Sequence, residues 1–306
     1  MTETPAHLPP PDGIARLVGA FERRRWQIVW RSRLEATGML LLLSMLLYVS
    51  ARASEFVGGS YGDAPLDRVG DFLQRMNPHL QAERLLSDSA TTGSVAYWFY
   101  AFRKWARALL TSIEMALLAT VVGAVCALGL SLLMARTVTR SAALRQAVRT
   151  LPNLVRTMPA FILAMLLVQV VGTGPVAGTL ALILASTAGL CRPFSEIMEN
   201  ADVGPMESVR AAGGNWLAQI RFGLLPPVAP LLLTYVFAWV EINVSASTAL
   251  GIVGAGGIGQ ELAEALAFNQ FESYLAMMLM IAAVVIATDL ASEQVRHRFF
   301  GLGSRR

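Results

Sequence analysis

The chain has 306 residues, 55% hydrophobic and 15% charged, with a formal net charge of +4 and a mean hydropathy of +0.52. Soluble domains carry about 25% charged residues, so this composition excludes a water-soluble globule, a disordered chain and a collagen-like repeat, and points to lipid as the solvent. The positive excess is small and spread along the chain, which argues against nucleic acid as a partner, and two cysteines, Cys126 and Cys191, supply neither a metal cage nor a disulfide framework.

A helix needs roughly 20 mostly apolar residues to cross about 30 Å of hydrocarbon. Residues 1–35 are expected to precede the bilayer. The first charge-free run, Ala36–Ala51, is slightly short, but Arg33 and Arg52 bracket it and their stems can snorkel. It is expected as the first transmembrane helix, 36–51. The leading region is too long for a typical signal peptide, so cleavage at Ala51-Arg52-Ala53 is not expected. Residues 52–107 form one long loop that ends in Tyr97-Trp98-Phe99-Tyr100-Ala101-Phe102-Arg103-Lys104-Trp105. Aromatics beside cations suit a helix lying at the headgroup level.

The second span is Ala108–Ala135, interrupted only by Glu114. The apolar block Thr157–Cys191 is too long for one span and contains the turn Gly172-Thr173-Gly174-Pro175, which predicts third and fourth spans as two short helices in a tight hairpin. A fifth span starts near Pro227 and reaches about Leu250, and a sixth covers Ser273 to about Asp289. The fold expected is all-α and polytopic, with about six transmembrane helices. Arginines set the orientation. Segments 1–35, 136–156, 192–224 and 290–306 hold 18 of them, whereas the opposite loops 172–175 and 251–272 hold no basic residue and 51–107 holds seven. Positive segments resist translocation, so both termini are expected inside.

Catalytic constellations are missing from the sequence. His7, His79 and His297 lie far apart, and there is no zinc-protease, nucleophile-elbow or P-loop motif. No catalytic residue, metal site or cofactor is expected. Gly254-Ala255-Gly256-Gly257-Ile258-Gly259 matches the dinucleotide fingerprint, but that motif works between a strand and a helix with an acid about 20 residues on. Here it follows a hydrophobic span and leads to Met277-Met278-Leu279. A hinge, or a close backbone crossing where only Gly fits, explains it better.

Between spans four and five, Val209, Ala212, Trp216 and Ile220 recur at helical spacing and Gly213-Gly214 interrupts them. This predicts a short helix, a bend, and a second turn leading to Leu225-Pro226-Pro227. The segment is either an amphipathic helix resting on the membrane or a docking surface for a partner on the inside.

Glu207, then Gly213 six positions on, then Leu225-Pro226 twelve further, resemble the Glu-Ala-Ala…Gly…Ile-x-Leu-Pro loop of binding-protein-dependent ABC importer permeases. Ser208-Val209 depart from Ala-Ala, and Gly223 stands where Ile is usual. Leu250–Glu261 resembles the signature of the phosphonate-type branch, although Ser245 stands about where that branch often has Arg, and Thr111–Thr120 resembles the start of the shared core. The resemblance covers 108–295, the expected transmembrane domain, with 52–107 as a periplasmic loop and 296–306 as a cytoplasmic tail.

That resemblance implies a MetI-like ABC importer permease fold in the cell inner membrane, with no ATPase of its own. It implies an ATP-binding subunit, a periplasmic solute-binding protein and a second permease copy as partners, beside the lipid bilayer. It also implies alternating access, driven through a coupling loop at 207–222 in which Glu207, Arg210, Ala211, Gly213, Trp216 and Pro226 meet the ATPase. The cargo implied is a phosphonate or related phosphorus oxyanion, with another small solute as the alternative. A self-contained secondary transporter would need internal repeats, and the 207–226 segment has no second copy in the sequence. An intramembrane enzyme is disfavoured because no paired catalytic groups converge.

Charges at mid-bilayer cost at least about 2.5–3.5 kcal/mol, so intramembrane polar residues face the protein interior or a path. Glu241 and Asn243, with Ser245 beyond them, are candidates for the translocation path or a gate, as are Gly254, Gly256 and Gly257. Glu241 reads first as an interhelical hydrogen-bonding residue and second as part of the path. Glu114, Gln169, Cys126 and Cys191 are expected to be structural.

Overall fold

The computed structural model describes residues 11–54, 65–85, 87, 91 and 93–300, so expectations for residues 1–10, 55–64 and 301–306 lie outside it. Every regular element among the described residues is helical. In chain order these are α1 (Pro11–Ala53), α2 (Pro65–Met76), a 3-10 turn at Ala82–Arg84, α3 (Val95–Trp98), α4 (Phe102–Met134), α5 (Ala142–Arg156), α6 (Ala160–Val171), α7 (Pro175–Glu199), α8 (Gly204–Ala211), α9 (Trp216–Ala218), a π turn at Gln219–Leu224, α10 (Leu225–Gly251), α11 (Ile258–Ala267) and α12 (Phe271–Phe300).

The chain divides into two compact units, residues 1–70 and 71–306. In the first, α1 runs unbroken from Pro11 to Ala53, so no change of structure marks the 35/36 boundary drawn from charge. Its run from 36 to 50 is exposed along its length, as a helix surrounded by lipid requires. Thr37 hides its hydroxyl by donating to Arg33 O at 2.9 Å.

In the second unit α4, α7 and α10 form the centre. The approach of α4 to α7 depends on small residues. A Cβ on Gly123 would stand 2.6 Å from Ser186 Cβ, so the two backbones come nearly into contact there. Lipid tails are as apolar as the helices, so close packing of this kind, not hydrophobic burial, draws membrane helices together. Towards one end Met134, Leu190, Phe194, Met198, Leu224 and Val228 make one buried cluster. At the other end Trp105, Leu109, Ile258, Leu262 and Met277 make a second.

Five helical runs are long and apolar enough to cross a membrane, namely Arg24–Ala53, Phe102–Met134, Pro175–Glu199, Trp216–Gly251 and Phe271–Val295. The expected third span is different. Its 12 residues, Ala160–Val171, reach only about 18 Å at 1.5 Å per residue, short of the hydrocarbon. It joins α5 at a bend of 87°, and only the bent pair together brings the number to six. The hairpin at 172–175 is present. Gly172 and Gly174 have φ of 95° and 137°, and Pro175 opens α7, where its missing N–H costs nothing.

The aromatic segment 97–105 divides between α3 and the first turn of α4. Trp105 is buried against Leu109, Ile258 and Met277, and Trp98 Nε1 donates to Glu272 O at 2.8 Å, tying α3 to α12.

Candidate functional site

The segment between α7 and α10 is a hydrogen-bonded elbow. Pro205 stands in the first turn of α8, and Asp202 Oδ1 accepts from Gly204 N at 2.9 Å. At the far end Gly213 N donates to Arg210 O at 3.0 Å and Gly214 N to Val209 O at 2.9 Å. These are the paired bonds of a Schellman terminus, which needs a left-handed residue at Gly213, and its φ is 83°. Asn215 Oδ1 then accepts from Ala218 N at 2.9 Å to start α9, and Gln219 Nε2 donates back to Gly214 O at 3.0 Å. The bend lacks slack because each of its turns is closed by a bond.

Beyond it the chain does not restart at Pro227 as the sequence suggested. Pro226 and Pro227 have no N–H, so the ladder to Phe222 and Gly223 is cut, and the helix widens to a π turn in which Leu225 N donates to Ile220 O. Trp216–Gly251 is thereby one helical run of 36 residues, and a push on α9 acts directly on the fifth span. Gly223 explains itself here. A Cβ there would stand 2.7 Å from Met206 Cα, so its absence lets α8 lie against the π turn where Ile would hold the two apart.

The bend also splits the expected apolar face. Ile220 is buried, whereas Trp216 is 48% exposed and Leu217 and Phe222 are 66% and 63% exposed. Glu207, Arg210, Ala211, Gly213 and Pro226 are all exposed, and Arg221 lies over the Phe222 ring at 5.4 Å. The elbow therefore presents apolar groups, a carboxylate and guanidinia outward.

The glycine run 251–259 is a crossing of backbones. A Cβ on Gly256, whose φ is 80°, would stand 2.8 Å from Pro175 N, and one on Gly259 would overlap Thr248 O. Gly174 N donates to Gly254 O at 2.9 Å, and Ile258 N donates to Ser112 Oγ at 2.9 Å. Gly254, Gly256 and Gly257 therefore join α10–α11 to the α6–α7 hairpin and to α4, with no strand beside them and no room for a nucleotide. Beside this crossing Lys104 Nζ, in the first turn of α4, lies 2.5 Å from Glu261 Oε2 and 3.9 Å from Glu264 Oε2, clasping α11.

The polar candidates in α10 separate by face. Asn243 is 2% exposed, and its Nδ2 donates to Thr120 Oγ1 at 2.8 Å and to Ser186 Oγ at 2.7 Å, joining α10 to α4 and α7. Thr120 spends its own proton on Ala116 O at 2.7 Å, so it offers Asn243 only lone pairs. Glu241 is half-buried and Ser245 exposed, one turn apart on the outer side of α10. Glu241 makes no side-chain hydrogen bond or ion pair among the described residues. Glu114, Gln169 and Cys126 are exposed on the single chain, and Cys191 is buried against Ala127 O. Thr120, Ser186 and Ser112 escaped the sequence reading because hydroxyls inside apolar helices carry no local signal. No group of three or more metal-ligating side chains occurs among the described residues.

The comparisons with known proteins agree with this geometry. Residues 127–300 match the model of the binding-protein-dependent transport system inner membrane component. The chain belongs to that family, the membrane-embedded permeases of ABC importers. It is 34% identical over 202 residues to the phosphite transport system permease protein PtxC of Stutzerimonas stutzeri, covering 66% of this chain and 73% of that one. It is 42% identical over 120 residues to the putative cryptic phosphonate transport system permease protein PhnE2 of Escherichia coli, covering 39% of this chain and 98% of that one. With the phosphate-import permease protein PhnE of Mycolicibacterium smegmatis it shares 35% identity over 187 residues, 61% of this chain but only 35% of the relative's length. In fold it is similar to a chain of the MetNI methionine ABC transporter in inward-facing conformations, with a TM-score of 0.56 at 21% identity, over 63% of this chain and 95% of that one.

Proposed function

We propose that this permease moves a phosphonate, phosphite or related phosphorus oxyanion inward by alternating access, paired with a second copy of itself and driven by a separate ATP-binding subunit. A periplasmic binding protein delivers the cargo, and both termini lie in the cytoplasm. The relatives named for phosphite and phosphonate transport support the cargo class, and the arginine asymmetry supports the orientation.

The observation that carries the mechanism is the elbow at 204–224, exposed on one side and continuous on the other with a membrane-crossing helix. ATP drives a change of state only by favouring one conformation over the other. Moving the balance from about 1:99 to 99:1 takes roughly 5.5 kcal/mol. A floppy loop would dissipate that preference, and the bonds at Gly213, Asn215 and Gln219 keep this one stiff. Glu207, Arg210, Ala211, Gly213 and Trp216 belong to this handle, and Pro226 follows it in the first turn of α10. Glu241 and Ser245 face away from the three-helix centre, where the second copy or the solute path supplies the polar surroundings a carboxylate needs.

The test is co-reconstitution with the ATPase and binding protein and measurement of ATP-driven uptake. Gly213→Asp puts a branched side chain at a left-handed position on the exposed bend and is expected to abolish coupled uptake while the chain still inserts. Deleting 207–222 would also cut the helix that begins at Trp216, so the substitution is the cleaner test. Normal uptake by Gly213→Asp overturns the assignment of the handle.

A further inference from the structure

A cavity of about 720 Å³ opens at the end of the bundle where α4 and α12 begin. Arg75, Tyr97, Trp98, Tyr100, Phe271 and Glu272 line it. Its size is that of a small-molecule site, about 300–1,000 Å³. It lies within the unit 71–306, away from the elbow and from the glycine crossing. Three aromatic rings come from 97–100 and one from the first residue of α12, next to the starts of two helices long and apolar enough to cross a membrane.

The polar groups on its wall have complementary signs. Arg75 donates to no group among the described residues, so its guanidinium is available to a ligand's phosphoryl oxygens, the geometry it binds best. Glu272 is held in place. Its backbone oxygen accepts from the Trp98 indole at 2.8 Å, and one carboxylate oxygen lies 3.4 Å from His79 Nδ1. Its second oxygen remains for a cation, and Tyr97, Trp98 and Tyr100 line the same wall, the ring types that attract an ammonium. Arg75 and Glu272 share the wall without pairing with each other. One cation and one carboxylate that line the same aromatic pocket without pairing complement a ligand that carries the same two charges in reverse.

We infer that this cavity binds a phosphoryl group carrying an alkylammonium. That chemistry belongs both to the headgroup of a zwitterionic phospholipid and to a free aminoalkyl phosphonate. Tyr and Trp beside the starts of membrane-crossing helices suit the headgroup level, which favours the phospholipid.

Native mass spectrometry of the full-length permease in detergent tests this, with phosphatidylethanolamine, phosphatidylglycerol and 2-aminoethylphosphonate as probes. The expected result is one phosphatidylethanolamine retained per chain in preference to phosphatidylglycerol, with retention falling roughly tenfold in Arg75→Ala and in Glu272→Gln, as loss of a charge-assisted bond predicts. Displacement of the lipid by 2-aminoethylphosphonate, or binding of that compound alone, assigns the site to free solute and keeps the inferred chemistry. Equal retention of phosphatidylglycerol, no retention of any probe, or unchanged retention in both variants overturns it. The assay needs no ATP, ATPase or binding protein, so its failure leaves the transport proposal standing, and failed uptake leaves this site standing.

Discussion

Asn243 should behave as the bolt of the three-helix centre, and the strength of that bolt can be worked out from its bonds. Asn243→Ala removes two interhelical hydrogen bonds, 2.8 Å to Thr120 and 2.7 Å to Ser186. Such bonds in membrane proteins average about 0.6 kcal/mol and reach about 1.7, so the expected loss is about 1–3 kcal/mol. Thr120→Val keeps the shape and removes one acceptor, for about a third to a half of that loss. The double variant is decisive. Once Asn243 is Ala, Thr120 has no interhelical bond left to lose, so the combined cost should fall short of the sum by about 0.6 kcal/mol or more. The local bond from Thr120 to Ala116 is lost in both arms and cancels. Reversible unfolding of the purified chain in mixed micelles, followed by helical circular dichroism, measures all four corners of the cycle. Costs that add within about 0.3 kcal/mol would refute the bonded triad.

Two further substitutions test the close approaches. Gly223→Ala places a Cβ against Met206 backbone, and because backbone cannot swing aside the expected cost is about 1–3 kcal/mol. Coupled uptake should drop sharply while membrane insertion persists, and unchanged uptake would show that α8 need not lie on the π turn. Gly256→Ala meets Pro175 and a left-handed backbone together. Its melting temperature in detergent should fall by several degrees, since about 1–2 kcal/mol at αL moves a domain of this size by about 2–4 °C per kcal/mol; an unchanged melting curve would refute the crossing.

Much of this molecule is legible in its sequence because lipid leaves few choices. Apolar runs of the right length must be helices, and Gly172-Thr173-Gly174-Pro175 between two of them must turn. The short α6 and its turn into α7 are legible, but its 87° bend from α5 is not, although Pro159 at the break supplies the cause: it has no N–H to continue the helix and disfavours a helical Met158. Gly254–Gly259 announces a close crossing but not its partners, because Ser112 and Pro175 lie far from it along the chain and meet it only in the fold. Asn243 was visible as a polar residue in a span. Its direction was not, because the 100° between successive residues that sends Asn243 inward and Glu241 outward has meaning only once α4 and α7 are in place. Pro226-Pro227 signalled a helix start, and the π turn that carries the helix through them had no sequence signature.

The clasp between α4 and α11 has a practical consequence. Lys104 is the one lysine among the 25 basic residues of the chain, and its side chain is 62% exposed while held against Glu261. An amine-directed acylating dye thus has a single internal address, on the very contact that must loosen if α11 swings away from α4. The speed of its attachment to the purified permease would gauge how often that clasp unlatches, without any engineered cysteine.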